Sequence, residues 1–168
     1  MKRIIQKMIN NICRVIDKTL RELYRLFHPI IWGKRVQING IPRIYGENLI
    51  LGKDISLNPG VIIQTSGGVE IGDRCTISRG VTILTASLDT SDYLENSKQI
   101  FRDHTEKKVV IEEGVWLAAN AIVCPGVTIA KESIVAAGSV VCKDLAEPGC
   151  LYAGNPAKMI KKITTKKE

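Results

Sequence analysis

The chain has 168 residues, of which 45% are hydrophobic and only 5% aromatic, a composition typical of one strand-rich globular domain. The formal net charge of +7 comes from residues 1–35, which hold nine bases and two acids, while the other 133 residues are neutral overall. Because these 133 residues carry no excess positive charge, they are not expected to bind nucleic acid. Five scattered cysteines without a CxxC pair argue against a disulfide framework or a zinc site.

Residues 1–35 are predicted to form a basic amphipathic helix and a linker. Apolar residues recur every three or four positions and define one stripe of a helix, which Pro29 and Gly33 end. The stripe consists of Ile5, Ile9, Ile12, Ile16, Leu20, Leu23 and Phe27. The helix is expected either to pack on its own domain or a neighbouring subunit, or to rest on an anionic membrane through residues 1–28.

From about residue 36 onward, aliphatic residues return every six positions. A second small or aliphatic residue precedes each of them by two positions, so each pair shares one face of a short strand. The repeated set consists of Leu51, Leu57, Ile63, Ile71, Ile77, Ile83, Ile111, Leu117, Val123, Ile129, Val135 and Val141. The rhythm is interrupted over residues 84–108, which are predicted to form a loop.

A six-residue period predicts a three-sided coil rather than a helix. Each side is a short strand and a corner, three sides make a coil of about 18 residues, and coils stack with in-register parallel pairing. Seven corner residues fit a role in unusual backbone angles: Gly52, Asn58, Gly72, Gly114, Asn120, Gly126 and Gly138. The predicted fold is an all-β solenoid, a parallel β-helix over 36–163 with an N-terminal α-helix, a protruding loop and a tail at 164–168.

The segments GVW, PGVTI, AAGSVV and AGNPAK, in this order, resemble the hexapeptide-repeat acyltransferases. The likeness is greatest to the galactoside/maltose O-acetyltransferases and to the O-acetyltransferases of surface-polysaccharide gene clusters. It implies a left-handed β-helix and a homotrimer with active sites in clefts between subunits. It also implies direct transfer of an acetyl group from acetyl-CoA to a hydroxyl of a sugar or surface-polysaccharide precursor, without a metal.

The catalytic histidine of that family falls on Leu88, which can neither accept nor donate a proton. His104, at the far end of the 84–108 loop, is expected to act as the general base in its place, with Asp89 orienting the imidazole. A solvated role for His104 and the loss of catalysis remain alternatives. His28 lies outside the matched region and is expected to cap or pack at the end of the helix.

Other site residues are expected from the positions that match the family. The substrate-binding candidates are Asn58, Trp116, Ser87 and Asp92. The coenzyme A candidates are Ala119, Ala137, Gly138, Lys143 and Lys158, small residues along the pantetheine and bases at the phosphates. A corner role for Asn58 and a subunit contact for Trp116 are the competing interpretations.

Two other functions remain open at this point. One is N-acetylation of an aminosugar nucleotide, and the other is a catalytically inactive β-helix scaffold. The N-terminus lacks the apolar core and cleavage site of a signal peptide, so we expect a cytoplasmic protein, with peripheral contact at the inner face of the membrane as an option. No nucleic-acid partner is expected.

Overall fold

A computed structural model describes residues 2–31, 34–91, 94 and 103–164. The chain begins with α1 (Lys2–Phe27) and a short 3-10 helix (Pro29–Ile31), and then winds into five coils of parallel strands. The predicted helix and β-solenoid are therefore confirmed, while the boundary at residue 35 stays a prediction. None of the described helices is long and apolar enough to cross a membrane.

The stacked coils form a three-sided prism, and each side of the prism is one sheet of stacked strands in the described residues. Sheet A contains β1 (Gln37–Ile38), β4 (Ser56–Leu57), β7 (Thr76–Ile77), β12 (Trp116–Leu117), β15 (Ile134–Val135) and β17 (Cys150–Ala153). Sheet B contains β2 (Arg43–Tyr45), β5 (Ile62–Gln64), β8 (Thr82–Ile83), β13 (Ile122–Val123) and β16 (Val140–Val141). Sheet C contains β3 (Leu49–Leu51), β6 (Val69–Ile71), β11 (Val109–Ile111) and β14 (Thr128–Ile129). We name the corners AB, BC and CA after the sheets that they join in chain order.

The core lies inside the prism and is made of the two sets of residues that the six-residue period predicts. Every member of both sets is exposed by 5% or less. The strand register places aliphatic residues directly above one another. Leu57 pairs with Ile77, and Leu117 pairs with both Ile77 and Val135. Because each side has only two or three paired residues, each coil depends on its neighbours to bury its inward side chains.

The corners contain one correction to the sequence prediction. Gly114, Asn120, Gly126 and Gly138 have positive φ as expected, whereas Gly52, Asn58 and Gly72 do not; positive φ falls instead on residues such as Asp54, Gly60 and Arg74. Gly72 is small for a different reason. A Cβ there would lie 2.6 Å from the backbone nitrogen of Glu113 in the next coil, so glycine permits close stacking of the corners.

The interruption of the repeat leaves the prism at corner BC. β9 (Ala86–Leu88) and β10 (His104–Glu106) form an antiparallel pair outside the prism, and the chain then returns to β11. β11 pairs in register with β6, as if no residues had been inserted. We call residues 86–106 the hairpin; residues 92, 93 and 95–102 lie outside the described part.

The last strand, β18 (Lys158–Lys162), folds back antiparallel to β17. At the preceding turn, Gly154 has a φ of 107° and its N–H donates to Ser139 Oγ at 3.1 Å. This turn therefore attaches the end of the chain to the fifth coil.

α1 contacts the first coil near its C-terminal end and through its polar side, whereas its described side chains before Arg21 are exposed. Arg21 donates to the carbonyl oxygen of Asn39 at 3.2 Å, and Arg25 donates to that of Val36 at 3.1 Å, both at the first coil. At the helix end, His28 stacks on Tyr24 with ring centroids 3.7 Å apart, in line with its expected packing role. The opposite side consists of large apolar residues exposed by 44–76%: Ile5, Met8, Ile9, Ile12, Val15, Ile16, Leu20, Leu23, Leu26 and Phe27.

The inward and outward residues of one strand provide a test of the core. Leu51 is 2% exposed and its neighbour Ile50 is 59% exposed in β3. Leu51→Ala is expected to lower the free energy of unfolding by about 2–5 kcal/mol because it leaves a cavity between coils, whereas Ile50→Ala should change it by less than about 0.5 kcal/mol. Denaturant unfolding at matched protein concentration measures both; equal losses would contradict the assignment of sides.

Candidate active site

The base of the hairpin is held by a buried threonine. Thr85 Oγ1 donates to the carbonyl oxygen of Gln64 at 3.1 Å and accepts from Gly67 N at 3.1 Å. The Gln64 side-chain oxygen accepts from the backbone nitrogens of Thr85 and Ala86 at 3.4 and 3.3 Å. Lys107 N donates to Thr85 O at 2.8 Å, so the two ends of the hairpin meet at one point.

The register of the hairpin places His104 beside Leu88. The two residues are Cα partners in the β9–β10 pair, followed by Ser87 opposite Thr105. The Ser87 and Thr105 hydroxyls are 3.0 Å apart and hydrogen-bonded. Directly opposite residues of an antiparallel pair project from the same face, so His104 extends its exposed side chain from the face that also carries Leu88.

Asp89 continues the ladder just beyond Leu88. Its N–H donates to Asp103 O at 2.8 Å, and its carboxylate accepts from Ser91 N at 2.9 Å. The hydrogen bond from the Ser91 backbone holds the pKa of the Asp89 carboxyl below its usual value, so the side chain is a carboxylate at neutral pH. Its role in orienting His104 stays a prediction, and Asp92 lies outside the described residues.

Asn58 and Trp116 belong to another part of the prism. The Asn58 amide donates to Ile77 O at 3.0 Å and accepts from Asn39 at 3.1 Å, so it links three successive coils at corner AB. Trp116 is 46% exposed on the outer face of sheet A, and its indole N–H donates to Ser78 Oγ at 2.9 Å. These bonds favour a corner role for Asn58 and leave one face of Trp116 accessible.

The small residues predicted for coenzyme A stack at corner AB in the fourth and fifth coils. Gly138 N donates to Ala119 O at 2.9 Å, and a Cβ on Gly138 would meet nothing within 4 Å. Among the described residues, the backbone N–H groups of Ala119 and Ala137 donate to no other backbone group. Corner AB thus offers open space at Gly138 beside two N–H groups without a backbone acceptor, which is the type of surface that a pantetheine amide can bind.

The predicted bases are both exposed. Lys143 follows the fifth coil at corner BC, and Lys158 begins β18. Lys143 is thus separated from the small residues, whereas Lys158 pairs with Ala153 directly after the turn that stacks on corner AB of the fifth coil. The contact of both lysines with phosphates stays a prediction. A groove of about 350 Å³ lies between α1 and corner AB of the first three coils, and its charged lining consists of Asp17, Arg21 and Arg79.

One chain does not bring all the predicted site residues together. His104, Ser87 and Asp89 project from corner BC, while Asn58 and the small residues lie at corner AB on the other side of sheet B. Thr85 and Gln64, which position the hairpin, were not among the residues predicted for the site. The available signal was a polar residue two positions after Ile83, where the strand pattern continues inward.

Comparisons with known proteins agree with this architecture. The family model described as bacterial transferase hexapeptide (six repeats) matches residues 108–143, and that described as hexapeptide repeat of succinyl-transferase matches residues 46–85. The galactoside O-acetyltransferase of Lactococcus lactis is 35% identical over 118 residues, which are 70% of this chain and 55% of that protein.

Solved structures extend the likeness over most of the chain. The maltose O-acetyltransferase from Clostridium difficile is 30% identical with a TM-score of 0.64, over 79% of this chain and 68% of that one. The chain belongs to the hexapeptide-repeat transferase family. A hexapeptide-repeat acetyltransferase from Vibrio cholerae in complex with acetyl coenzyme A is 25% identical with a TM-score of 0.68, over 86% of this chain and 78% of that one.

The likeness to characterised hexapeptide-repeat transferases is partial in length. The chain spans 55–60% of the length of three curated relatives that it matches, the Lactococcus lactis enzyme among them. The two family models match the coils on either side of the hairpin.

The anchoring role of Thr85 in this hexapeptide-repeat protein leads to a stability prediction. Thr85→Val keeps the shape but leaves Gly67 N–H without its acceptor, so we expect unfolding to become easier by about 1–3 kcal/mol. Amide hydrogen exchange should also become faster at Ala86–Leu88. Thr82→Val, on the outer face of β8, is the matched control and should stay within about 0.5 kcal/mol of wild type. A Thr85→Val protein as stable as the control would show that the hydroxyl does not anchor the hairpin.

Proposed function

We propose that the protein is an acetyl-CoA-dependent O-acetyltransferase that acts on a hydroxyl of a sugar or surface-polysaccharide precursor. The observation that supports the proposal is the Cα pairing of His104 with Leu88, because Leu88 is the position that the family resemblance matches to the catalytic histidine. The galactoside and maltose O-acetyltransferases among the relatives support the acceptor class. The Vibrio cholerae complex supports acetyl-CoA as the donor.

The proposed reaction is a direct transfer. Neutral His104 removes the proton of the acceptor hydroxyl as its oxygen attacks the thioester carbonyl. A backbone N–H at corner AB, from Ala119 or Ala137, stabilises the negative charge that develops on the carbonyl oxygen. The coenzyme A thiolate then leaves and receives a proton from the imidazolium. Ser87 and Asp92 are proposed to contact the acceptor from the hairpin.

We also propose that the active unit is a homotrimer. The base and the small-residue strip lie at different corners of one chain, so a neighbouring subunit is needed to bring corner AB to the hairpin. A head-to-tail contact that closes after three copies repeats this cleft three times. Trp116 is then proposed to flank the acyl group from the same subunit as Ala119.

The catalytic role of His104 is tested by moving the imidazole across the hairpin. His104→Leu is expected to lower kcat by about 10²–10⁴-fold, because the acceptor proton has no base. The double variant Leu88→His/His104→Leu should recover about tenfold or more of the lost rate, because both positions project from one face. Coenzyme A release with a panel of sugars, followed by mass spectrometry of the products, measures the transfer.

The control for this experiment is His28→Gln, which changes the other histidine at the end of α1 and should retain the wild-type rate. A fully active His104→Leu protein would remove His104 from the mechanism. A wild type that binds acetyl-CoA in calorimetry but acetylates only amino sugars would move the proposal to N-acetylation. A wild type that binds no acetyl-CoA would indicate a scaffold.

A site shared between subunits predicts complementation. His104→Leu and Ala119→Trp are each expected to be inactive alone, the first without a base and the second with a blocked strip. Trimers assembled from equal amounts of both should regain about one quarter of the wild-type activity, because one cleft in four combines two intact sides. No recovery in trimers shown to be mixed by native mass spectrometry would place the whole site in one chain.

Finally, we propose that α1 makes a peripheral contact with the inner face of an anionic membrane. The polar side of its C-terminal end contacts the first coil, its apolar side faces outward, and the excess positive charge belongs to the same segment. An exposed apolar stripe combined with local positive charge favours binding to anionic lipid surfaces.

The membrane contact is tested with vesicles of anionic and of zwitterionic phospholipid. The wild type should sediment with anionic vesicles, and raising the salt concentration should weaken binding because it screens the charges. Ile12→Glu/Ile16→Glu should abolish binding. Asn10→Glu/Asn11→Glu changes the net charge equally outside the stripe and should weaken binding less. Equal losses in the two variants would mean that charge alone, and not the apolar stripe, drives the contact.

A further inference from the structure

Two cysteines stand one above the other on the outer side of sheet B. Cys124 and Cys142 come directly after β13 and β16, where Val123 is the Cα partner of Val141. Cys124 N donates to Val141 O at 2.9 Å, so the register continues up to the two thiols. Their Sγ atoms are 3.9 Å apart.

This arrangement suits the formation of a disulfide. Neighbouring strands are separated by about 4.8 Å, which lies within the range of about 4.4–6.8 Å that disulfides accept between Cα atoms. The sulfur atoms must approach to about 2.05 Å, a movement that side-chain rotation can supply without opening the coil. The stacked coils therefore present a dithiol that is already close to bonding geometry.

The pair differs from the other cysteines in accessibility. Cys142 is exposed and Cys124 is half-buried, whereas Cys75 and Cys150 are fully buried inside the prism. Cys13 is exposed, but it lies on α1 and not on sheet B. Burial, followed by the hydrogen bond with Cys142, raises the pKa of the Cys124 thiol, so Cys142 is the better first nucleophile.

We propose that Cys124 and Cys142 are a redox-active dithiol that small disulfides, such as oxidised glutathione, convert to an intramolecular disulfide. The Cys142 thiolate attacks one glutathione sulfur and releases one glutathione thiolate. Cys124 then attacks the Cys142 sulfur of the mixed disulfide and releases the second. Two S–H bonds are lost, one S–S bond forms, and two electrons reduce the oxidised glutathione to two thiols, which take up the protons.

The crosslink joins the fourth and fifth coils beside the hairpin. Leu84, the last residue before Thr85, occupies the same position one coil earlier, and its N–H donates to Val123 O at 2.9 Å. The disulfide would close a loop with 17 residues between its cysteines, which restricts the unfolded chain. Oxidation is therefore expected to stabilise this part of the solenoid.

Tryptic mapping of the native protein after treatment with oxidised glutathione tests the proposal. The lysines place Cys124 in peptide 109–131 and Cys142 in peptide 132–143, while Cys13, Cys75 and Cys150 fall in three other peptides. The expected product is peptide 109–131 linked to peptide 132–143, which dithiothreitol separates. Linkage within one chain is distinguished from linkage between chains by electrophoresis without reductant.

Cys124→Ser and Cys142→Ser should each abolish the linked peptides, and Cys13→Ser should leave them unchanged. Oxidised wild type should melt about 5 °C or more above reduced wild type, and the Cys124→Ser protein should show no such shift. Glutathione attached separately to both cysteines, or no reaction at either, would overturn the proposal. If the peptides are linked but Tm does not rise, the redox-active dithiol is supported and its stabilising effect is disproved.

Discussion

In-register stacking of short strands with matching inward residues is the constraint on which the rest of the molecule depends. Each side of a coil contributes two inward side chains, and these are buried only when the coils above and below carry matching residues. The rows that run along the prism, such as Leu57, Ile77, Leu117 and Val135, satisfy this condition. Any residue added within a side would turn the inward face of the following strand outward.

The same constraint explains why most of the candidate site residues lie at or beside corners. Inward positions are reserved for packing, and outward positions of the strands are fixed by the pitch of the sheet. At a corner the backbone is not bound to the alternation of a strand, so a long segment can leave and return there. Thr85 and Lys107 mark these two points, and their hydrogen bond allows β11 to resume pairing with β6.

Periodicity predicted the solenoid well because burial repeats with the same spacing as the sequence. Corner geometry was less predictable: Asn58 matched the composition of a turn, yet positive φ fell two residues later on Gly60, because the register of the corner depends on the contacts of the next coil. The proximity of His104 to Leu88 was inferred only from a resemblance. The 84–108 segment has no period from which a register can be read.

The orientation of α1 also lay beyond the sequence. A stripe of apolar residues at helical spacing predicts a buried face, but it does not tell which surface covers it. In the structure the bonds of Arg21 and Arg25 to backbone carbonyls attach the polar side to the first coil. The apolar side is exposed in the single chain, which a pattern of residue types alone does not specify.

The meeting of the two ends of the hairpin has a consequence for how such proteins diversify. Because Thr85 and Lys107 meet at the surface of the prism, the coils do not fix the length or the composition of the segment between them. A recombinant that carries the corresponding segment of a relative needs only compatible ends to fold. A change in this segment therefore leaves the register of the coils unaltered.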